Sequence, residues 1–270
     1  MFSFKDLINR KNGPLVMGIL NITPDSFSDG GKFYSLSDAL ERLDKLYTDG
    51  ADIIDIGACS TAPKNTIVSE TEELRRLEIL PELVKNAKVP LSIDTFRPAV
   101  AKFALENGVS IVNDESGIFN EKTAAAVKEY NAGWIFMHTG GKSSKDEVQY
   151  TNGVVEDVLS FFCEMKNRAI SFGINEECLC YDCGIGFGKS RGDDINLLKE
   201  CETLSQYSPL LVGVSRKRVI GEITGKENPE DRVAGSVAAA LNCAVKGARV
   251  LRVHDVSETA DALKIFDKLR

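Results

Sequence analysis

Six polar side chains in this sequence have the chemistry to bind one planar, charged ligand, and each lies at or near the end of a short apolar run. They are Asp94, Asn113, Asp182, Lys217, Arg252 and His254. The two carboxylates and the carboxamide can exchange hydrogen bonds with a nitrogen-rich heterocycle. The lysine, arginine and histidine suit a phosphorylated substrate. These residue types therefore predict a site that binds a polar heterocycle and an anion.

The apolar runs beside these residues have the character of buried strands. Eight runs are rich in Val, Ile and Leu and do not alternate cleanly with polar residues, which is typical of parallel strands covered on both faces. They cover residues 15–20, 52–56, 91–93, 111–113, 133–137, 178–182, 210–214 and 249–253.

Amphipathic helical patterns separate these strands. Ser37 is a candidate cap for a helix that ends at Gly50, and Ser69 with Glu72 forms a candidate capping box. Asn120 is expected to begin an alanine-rich helix that runs to about residue 130. Further helices are predicted over residues 153–172, 193–204, 231–246 and 257–269.

Eight strand–helix units in 270 residues favour a closed (β/α)8 TIM barrel of the α/β class over an open doubly wound sheet. We expect residues 1–270 to form a single domain. Chemistry in such barrels lies at the carboxyl ends of the strands, so the polar side chains should meet at one mouth. For any one of them the alternative is a plain role in capping the next helix. The convergence of the whole set is what favours a binding site.

Composition restricts the partners. The formal net charge of -7 argues against broad nucleic-acid binding, which needs a basic face. No apolar run approaches the length of a membrane span, and residues 1–10 do not resemble a signal peptide. The sequence therefore predicts a cytoplasmic protein that acts on small molecules, with neither nucleic acid nor membrane as a partner.

The seven cysteines and the glycine-rich segment each have two interpretations. An odd number of scattered cysteines indicates reduced thiols. Cys178, Cys180 and Cys183 are close enough for a structural metal, but they fall on or beside a predicted strand and no second Cys/His cluster accompanies them. The glycines at 184, 186 and 188 allow close approach of a ligand to the backbone. Their spacing also fits a nucleotide-binding loop, which the barrel context disfavours.

Several segments resemble the signature motifs of dihydropteroate synthases, and the resemblance runs in order over essentially the whole chain. The longest and most specific match is residues 17–31, with the sequence MGILNITPDSFSDGG. The other matching segments are 50–57 (GADIIDIG), 92–95 (SIDT), 182–189 (DCGIGFGK), 213–217 (GVSRK), 235–240 (GSVAAA) and 252–256 (RVHDV). The resemblance implies a TIM barrel that joins a dihydropterin to an aromatic amine with loss of pyrophosphate.

The resemblance also implies roles for individual residues by position. The pterin ring would be held by Asp94, Asn113, Asp182 and Lys217. The diphosphate would be bound by Arg252, His254 and Asn21, and Asn21 would also help to place a Mg²⁺ cofactor. Two mobile loops would close over the reacting bond with Asp29 and Thr61. The side of the site that takes the aminobenzoate would contain Pro63, Phe187 and Arg218.

The implied reaction is consistent with the chemistry of these residues. Pyrophosphate leaves the exocyclic methylene of the dihydropterin, and positive charge spreads over that carbon and the ring. Asp94 and Asp182 can stabilise this cation, while Arg252, His254 and Mg²⁺ stabilise the departing anion. The amine of para-aminobenzoate then attacks the methylene carbon, and no covalent enzyme intermediate is expected.

The sequence departs from the family's pattern at three positions. The usual loop sequence Glu-Ser-Thr-Arg-Pro is replaced by CSTAP at residues 59–63, so Ala62 stands where an arginine is usual. Arg218 replaces the usual serine after Lys217, and Cys183 replaces a proline. One hypothesis is that Arg218 compensates for the lost loop arginine and binds the carboxylate of para-aminobenzoate. The alternative is that Arg218 points to solvent or pairs with an acidic residue.

Two other functions stay open at this point. One is a barrel that binds methyltetrahydrofolate as a methyltransferase, although such proteins lack the long first signature. The other is a pterin-binding paralogue that has lost condensation or changed its specificity, an alternative raised by Ala62. The resemblance further implies a homodimer and inhibition by sulfonamides, which mimic the aromatic amine. Ala62 and Arg218 predict an altered sensitivity to these drugs.

Overall fold

Eight parallel strands close into a barrel in chain order, each paired with the next and β8 with β1. The structure is a computed structural model that describes residues 2–11, 13–22, 35–59, 67–140, 148–207 and 209–269. The strands are β1 Leu15–Asn21, β2 Ile53–Gly57, β3 Leu91–Asp94, β4 Ile111–Asp114, β5 Gly133–Met137, β6 Leu179–Asp182, β7 Leu210–Val212 and β8 Val250–Val253. The predicted TIM barrel is confirmed, and every predicted strand is present with its ends within two residues.

Helices surround the barrel in the described part of the chain. They are α1 Phe4–Asn9, α2 Leu36–Thr48, α3 Glu70–Arg76, α4 Leu80–Asn86, α5 Pro98–Glu106, α6 Glu121–Tyr130, α7 Val154–Phe172, α8 Arg191–Lys199, α9 Cys201–Leu204, α10 Arg218–Thr224, α11 Val233–Val245 and α12 Val256–Leu269. Short 3-10 turns at Leu77–Ile79, Glu176–Cys178 and Pro229–Arg232 join some of them.

Two helices begin differently from the prediction, at places where more than one residue could serve as the cap. The predicted cap Ser37 is wrong, because Ser35 Oγ accepts the backbone N–H of Asp38 at 3.2 Å and α2 begins two residues earlier. The predicted box at Ser69 is half formed. Ser69 Oγ accepts the N–H of Glu72 at 3.2 Å, but the Glu72 carboxylate bonds Arg75 and Arg76 instead of returning to the cap. For the Glu72 carboxylate, arginines one helical turn further along the chain are stronger hydrogen-bond partners than a backbone N–H.

The number of helices also differs from the prediction. The single helix expected over 193–204 is two helices. The first begins at Arg191 and is capped by Ser190, whose side chain forms a complete capping box with that of Asp193. The helix expected over 231–246 begins with a 3-10 turn. Three short helices were missed, namely α1, α5 and α10. Segments of six to nine residues are too short for the apolar periodicity to stand out.

The interior of the barrel is apolar at its amino-terminal end. Inward-facing side chains form one cluster there: Leu15, Met17, Ile53, Ile111, Ile135, Cys180, Leu211 and Val250. Helix α1 closes this end, since Phe4 and Ile8 pack into the same cluster. Side chains alternate along each strand, so the next inward positions lie one layer closer to the carboxyl ends. Those positions include the polar residues Asp55, Asn113, Asp182 and Arg252, and the mouth of the barrel at that end is where a ligand can enter.

The cysteines form no metal site within the described segments. All seven are free thiols, and six are buried. Cys178 Sγ donates to the backbone carbonyl of Phe2 at 3.0 Å. No group of three or more His, Cys, Asp or Glu side chains in the described segments could hold a metal ion. A search of the same residues for a helix both apolar enough and long enough to cross a membrane found none.

Candidate active site

A polar cleft opens at the carboxyl ends of the barrel strands. Its lining residues are Asp94, Asn113, Glu115, Met137, Asp182, Gly184, Ile185, Phe187, Gly213, Lys217 and Arg252. Five of the six polar residues that the sequence singled out therefore lie around one cavity, together with the predicted Phe187. A larger cavity beside α7 borders the segment 141–147, which is outside the described residues. It contains none of these five residues.

The barrel register brings the cleft residues together. Asp94 and Asn113 are direct partners across β3 and β4, and Asp182 pairs with Met137 across β5 and β6. Arg252 reaches the same mouth from β8. These residues are up to 158 positions apart in sequence, so only closure of the sheet makes them neighbours.

Arg252 is held between two carboxylates inside the mouth. Its Nε donates to Asp55 Oδ2 at 2.6 Å, and its Nη2 donates to Asp94 Oδ2 at 2.5 Å. Asn113 Nδ2 donates to the same Asp55 oxygen at 2.9 Å. Asp55 was not among the predicted site residues. The signal that could have found it is a carboxylate in an otherwise apolar strand, two positions before the strand end at Gly57.

Burial shifts the protonation of the cleft carboxylates. It raises the pKa of Asp94 well above its ordinary value, and the Arg252 charge opposes this. Burial also raises the pKa of Asp182, opposed by the Gly184 N–H that donates to Asp182 Oδ1 at 2.7 Å. For Arg252, burial lowers the pKa, but the charges of Asp94 and Asp55 outweigh it and the net shift is upward. The guanidinium is therefore a fixed cation, while the two carboxyls take up protons more readily than exposed ones.

Lys217 brings a second cation into the cleft. It precedes α10, and its Nζ lies 4.2 Å from the centroid of the Phe187 ring, a cation–π distance. Burial lowers the pKa of Lys217, and the nearby charge of Arg252 lowers it further. The side chain is therefore a weaker base than an exposed lysine, and a ligand with hydrogen-bond acceptors beside it would favour its charged form.

Comparisons with known proteins agree with this geometry. Residues 17–254 match the family described as pterin binding enzyme. The chain belongs to this family. It is 40% identical to the dihydropteroate synthase of Haemophilus influenzae over 256 residues, which are 94% of this chain and 93% of the relative.

Solved structures of family members have the same barrel. A dihydropteroate synthase from Xanthomonas albilineans, solved with 4-aminobenzoic acid, superimposes with a TM-score of 0.89 at 43% identity, covering 96% of this chain and 93% of the other. A structure described as the Xanthomonas albilineans synthase in complex with 7,8-dihydropteroate gives a TM-score of 0.85 at 40% identity, covering 96% and 94%. The resemblance to dihydropteroate synthases found in the sequence is confirmed.

The glycines of the family segment 182–189 pack against the end of β5. Gly184 has φ +65° and Gly188 has φ +62°, a backbone region that side chains rarely adopt. A Cβ on Gly184 would lie 2.0 Å from the carbonyl oxygen of His138, and one on Gly188 would lie 2.2 Å from that of Thr139. These glycines are needed for close packing of one backbone on another, which holds Phe187 at the cleft.

We expect Gly184→Ala to lower the free energy of unfolding by more than about 3 kcal/mol, because backbone strain and a clash with a carbonyl oxygen act together. The matched control is Gly225→Ala, since Gly225 has φ +68° but open space where the Cβ would stand. It should cost about 1 kcal/mol. Urea unfolding of both variants measures the difference, and equal losses would mean that the close approach contributes nothing.

His138, which follows β5, lies outside the cleft. It is buried, its Nε2 is 2.8 Å from Asp157 Oδ1, and its Nδ1 is 3.0 Å from Lys189 Nζ. Lys189 Nζ also donates to the backbone carbonyl of Phe187 at 2.9 Å. Burial lowers the pKa of Lys189 to about 8 and that of His138 to about 4, and the Lys189 charge adds to the shift on His138. This chain of contacts fixes the loop that carries Phe187.

His254, a predicted diphosphate ligand, lies just after β8 and does not line the cleft. Its Nδ1 is 3.1 Å from Ser215 Oγ, and its backbone N–H donates to the same hydroxyl at 3.2 Å. Burial, followed by the charges of Arg252 and Arg216, lowers the pKa of His254 to about 3. The imidazole is therefore neutral at physiological pH and can donate one hydrogen bond to an anion without adding charge.

Both histidines are expected to stay neutral through the physiological range. An unfolded histidine takes up a proton near pH 6.5, whereas folded His138 does so at about 4 and folded His254 at about 3. Protonation therefore favours the unfolded chain, so these two groups lower the unfolding free energy as the pH falls below about 6.5. Two-dimensional NMR of the ring protons measures this directly, since the chain has only two histidines. A midpoint near 6.5 for either ring would contradict the shifts.

Asn21 lies at the end of β1 and its side chain is exposed. Its Oδ1 would be 3.1 Å from a Cβ on Gly57, and Asp94 Oδ2 would be 3.8 Å from the same point. The Cβ position of Gly57 is thus flanked by a carboxamide oxygen and a carboxylate oxygen, and a side chain there would crowd Asn21. Two protein oxygens cannot complete a magnesium shell, but Mg²⁺ commonly binds one or two such groups together with substrate phosphates. The donor set therefore fits a metal that arrives with a diphosphate.

The remaining predicted residues are exposed or fall outside the described segments. Arg218 is exposed in the first turn of α10, with no ion-pair partner among the described residues. Asp29, Thr61 and Pro63 lie outside the described residues, and so does Ala62. Asp114 was not among the predicted site residues. It is buried at the end of β4 but does not line the cleft, because Trp134 Nε1 and the Ser116 N–H hold its carboxylate at 3.2 and 2.9 Å.

Proposed function

We propose that this chain is a dihydropteroate synthase, a transferase that condenses (7,8-dihydropterin-6-yl)methyl diphosphate with para-aminobenzoate to give 7,8-dihydropteroate and pyrophosphate. Membership of the pterin-binding enzyme family supports it, as does similarity over nearly the full length to proteins with this activity. The observation that carries it is the cleft itself. Three carboxyls, a carboxamide and two cations surround one cavity at the barrel mouth.

The pterin ring would occupy the cleft. Asp94, Asn113 and Asp182 supply hydrogen-bond partners for a heterocycle with donors and acceptors on its edges. Lys217 supplies a further donor beside the Phe187 ring. Because burial raises the pKa of both carboxyls, binding a cationic or strongly donating ring edge would draw them toward the ionised form.

The two halves of the reaction would use charges of opposite sign. Loss of pyrophosphate develops positive charge on the methylene, which Asp94 and Asp182 stabilise from inside the barrel. Arg252 and His254 would contact the departing diphosphate, together with Asn21. Mg²⁺, when bound, neutralises phosphate charge there. The amine of para-aminobenzoate then attacks the methylene carbon and releases a proton, so no enzyme nucleophile takes part.

The side that takes the aromatic amine would lie beside Phe187. On the resemblance, Pro63 and the loop residues Thr61 and Asp29 complete it. Arg218 is proposed to bind the carboxylate of para-aminobenzoate, which its exposed position at the mouth end of α10 permits. We further propose a single-domain, cytoplasmic homodimer.

Replacing Arg218 with alanine is expected to raise the KM for para-aminobenzoate by about 10-fold, because a charged arginine–carboxylate hydrogen bond contributes on the order of 1.5 kcal/mol. The KM for the pterin diphosphate should not change. Steady-state kinetics with each substrate varied in turn makes the comparison, and sulfonamide inhibition constants should rise in parallel. An unchanged KM for para-aminobenzoate would mean that Arg218 is only a solvated side chain.

The proposed function is tested by mixing the purified protein with the dihydropterin diphosphate, para-aminobenzoate and Mg²⁺. Pyrophosphate and dihydropteroate should form in equal amounts. Pyrophosphate release without dihydropteroate would mean that the second substrate is a different amine. Binding without either product would favour the non-catalytic paralogue raised by Ala62, and methyl transfer from methyltetrahydrofolate would favour the methyltransferase alternative.

A further inference from the structure

Asp55 is a buried carboxylate that none of the family-derived roles uses. It lies on β2, its side chain has no solvent exposure, and it faces the barrel interior one layer below the mouth. Its neighbours in register are Ile19 on β1 and Ser92 on β3. Burying a charge at this depth costs free energy unless it has hydrogen-bond or ionic partners, so the contacts of Asp55 indicate its role.

One oxygen of Asp55 joins two residues that line the cleft from different strands. Oδ2 accepts Nε of Arg252 at 2.6 Å and Nδ2 of Asn113 at 2.9 Å. The other oxygen, Oδ1, is buried and has no hydrogen-bond partner within the described residues. The carboxylate thus acts on the cleft through β4 and β8 without lining it.

The contact with Asn113 fixes the polarity of its carboxamide. An ionised carboxylate can only accept hydrogen bonds, so Asn113 must turn its NH₂ group toward Asp55. Its Oδ1 is then left for the ligand. An asparagine without this contact could rotate and offer either face, whereas here the site presents an acceptor at a defined place.

The contact with Arg252 matters when the ligand enters. In this structure, Arg252 bonds both Asp55 and Asp94. A heterocycle that bonds Oδ2 of Asp94 would compete with the guanidinium for that oxygen. Because Nε remains bound to Asp55, Arg252 keeps a carboxylate partner and its position when Asp94 turns to the ring.

We infer that Asp55 is a positioning residue that sets the hydrogen-bond polarity of Asn113 and anchors Arg252 while Asp94 exchanges the guanidinium for the pterin ring. This inference rests on the proposed function, because it concerns how the same cleft recognises its heterocycle. Asp55 determines selectivity for a ring edge that donates a hydrogen bond to Asn113.

The test begins with Asp55→Asn, which keeps the shape of the side chain and removes its charge. Calorimetric titration with the dihydropterin diphosphate should show a Kd raised about 30-fold, and the KM for para-aminobenzoate should change less than about threefold. Ser92→Ala is the matched control, since Ser92 lies in register with Asp55 and its hydroxyl has no partner within the described residues. The control should bind the pterin diphosphate as the wild type does.

A double-mutant cycle separates positioning from general damage. If Asp55 acts partly through Asn113, the Kd of Asp55→Asn/Asn113→Ala should be at least about fivefold lower than the product of the single effects predicts. If the two single effects on Kd simply multiply in the double variant, Asp55 does not act through Asn113, and that part of the inference is wrong. Wild-type Kd in Asp55→Asn would overturn it entirely, whereas failure of the wild-type protein to bind the pterin diphosphate would instead refute the proposed function.

A measurement on the wild-type protein covers the case in which the variant does not fold. A crystal structure with the dihydropterin diphosphate bound should keep Arg252 Nε within hydrogen-bond distance of Asp55, while a ring atom replaces Arg252 on Asp94. If Arg252 leaves Asp55 on binding, or stays on Asp94, the anchoring role is wrong.

Discussion

Replacing Asp182 with asparagine is expected to lower kcat/KM by about 10²- to 10³-fold with little loss of stability. The asparagine oxygen can still accept the Gly184 N–H, which now bonds Asp182 Oδ1 at 2.7 Å, so the local structure should persist. What is lost is a negative charge beside the developing cation, and one such electrostatic group commonly contributes this much. Steady-state kinetics and thermal unfolding of the same preparation give both quantities.

The control for this experiment is Asp114→Asn. Asp114 is also a buried carboxyl at a strand end, and burial raises its pKa too, but its side chain bonds Trp134 and Ser116 instead of lining the cleft. Its kcat/KM should stay within about threefold of the wild type. If Asp114→Asn lost as much activity as Asp182→Asn, burial of charge at the mouth, and not contact with the substrate, would explain both.

The pH profile gives a second readout of Asp182. Burial raises its pKa, so the carboxyl loses its charge at a higher pH than an exposed aspartate. As the pH is lowered, wild-type activity should therefore fall at a pH above the ordinary aspartate pKa, which is about 4. The residual activity of Asp182→Asn should be flatter there. Identical acid limbs in the two proteins would assign the limb to another group.

Replacing Arg252 with methionine is expected to lower the unfolding free energy by about 3–5 kcal/mol and to abolish measurable binding of the pterin diphosphate. The substitution leaves Asp55 and Asp94 without their cation in the barrel interior, and removing one member of a buried ion pair is costly in this range. Binding is lost in addition because no fixed cation remains at the predicted diphosphate position. Urea unfolding and calorimetric titration measure the two effects separately.

This loss of stability should depend on pH in a defined direction. Without Arg252, the folded-state pKa of Asp94 rises further, because the cation that opposed the effect of burial is gone. The folded variant then binds more protons than the unfolded chain, so it should regain stability as the pH falls toward 4. Arg75→Met is the control, since Arg75 pairs with Glu72 on the surface and should contribute little. A deficit that does not change with pH would contradict the ion-pair explanation.

Several features of the fold could be predicted from local sequence because their causes are local. The strands of the barrel are apolar runs of three to seven residues, and their burial on both faces produces the non-alternating pattern. Helix starts were less secure, as Ser35 and Ser37 show. Either serine could cap a helix, and the structure shows that Ser35 does so, because its Oγ accepts the backbone N–H of Asp38.

The sequence by itself determined the fold class and the residues that reach the mouth. Strand ends are visible in the apolar pattern, and a parallel barrel brings all of them to one edge, so Asp94, Asn113, Asp182 and Arg252 could be chosen without coordinates. Only the tertiary structure decided how these residues pair. The bonds of Asp55 with Arg252 cross from the second strand to the eighth, and the turning of His138 toward Lys189 depends on the packing of two loops. Such contacts depend on closure of the barrel and on the direction in which each side chain points. The local pattern of apolar residues gives information about neither.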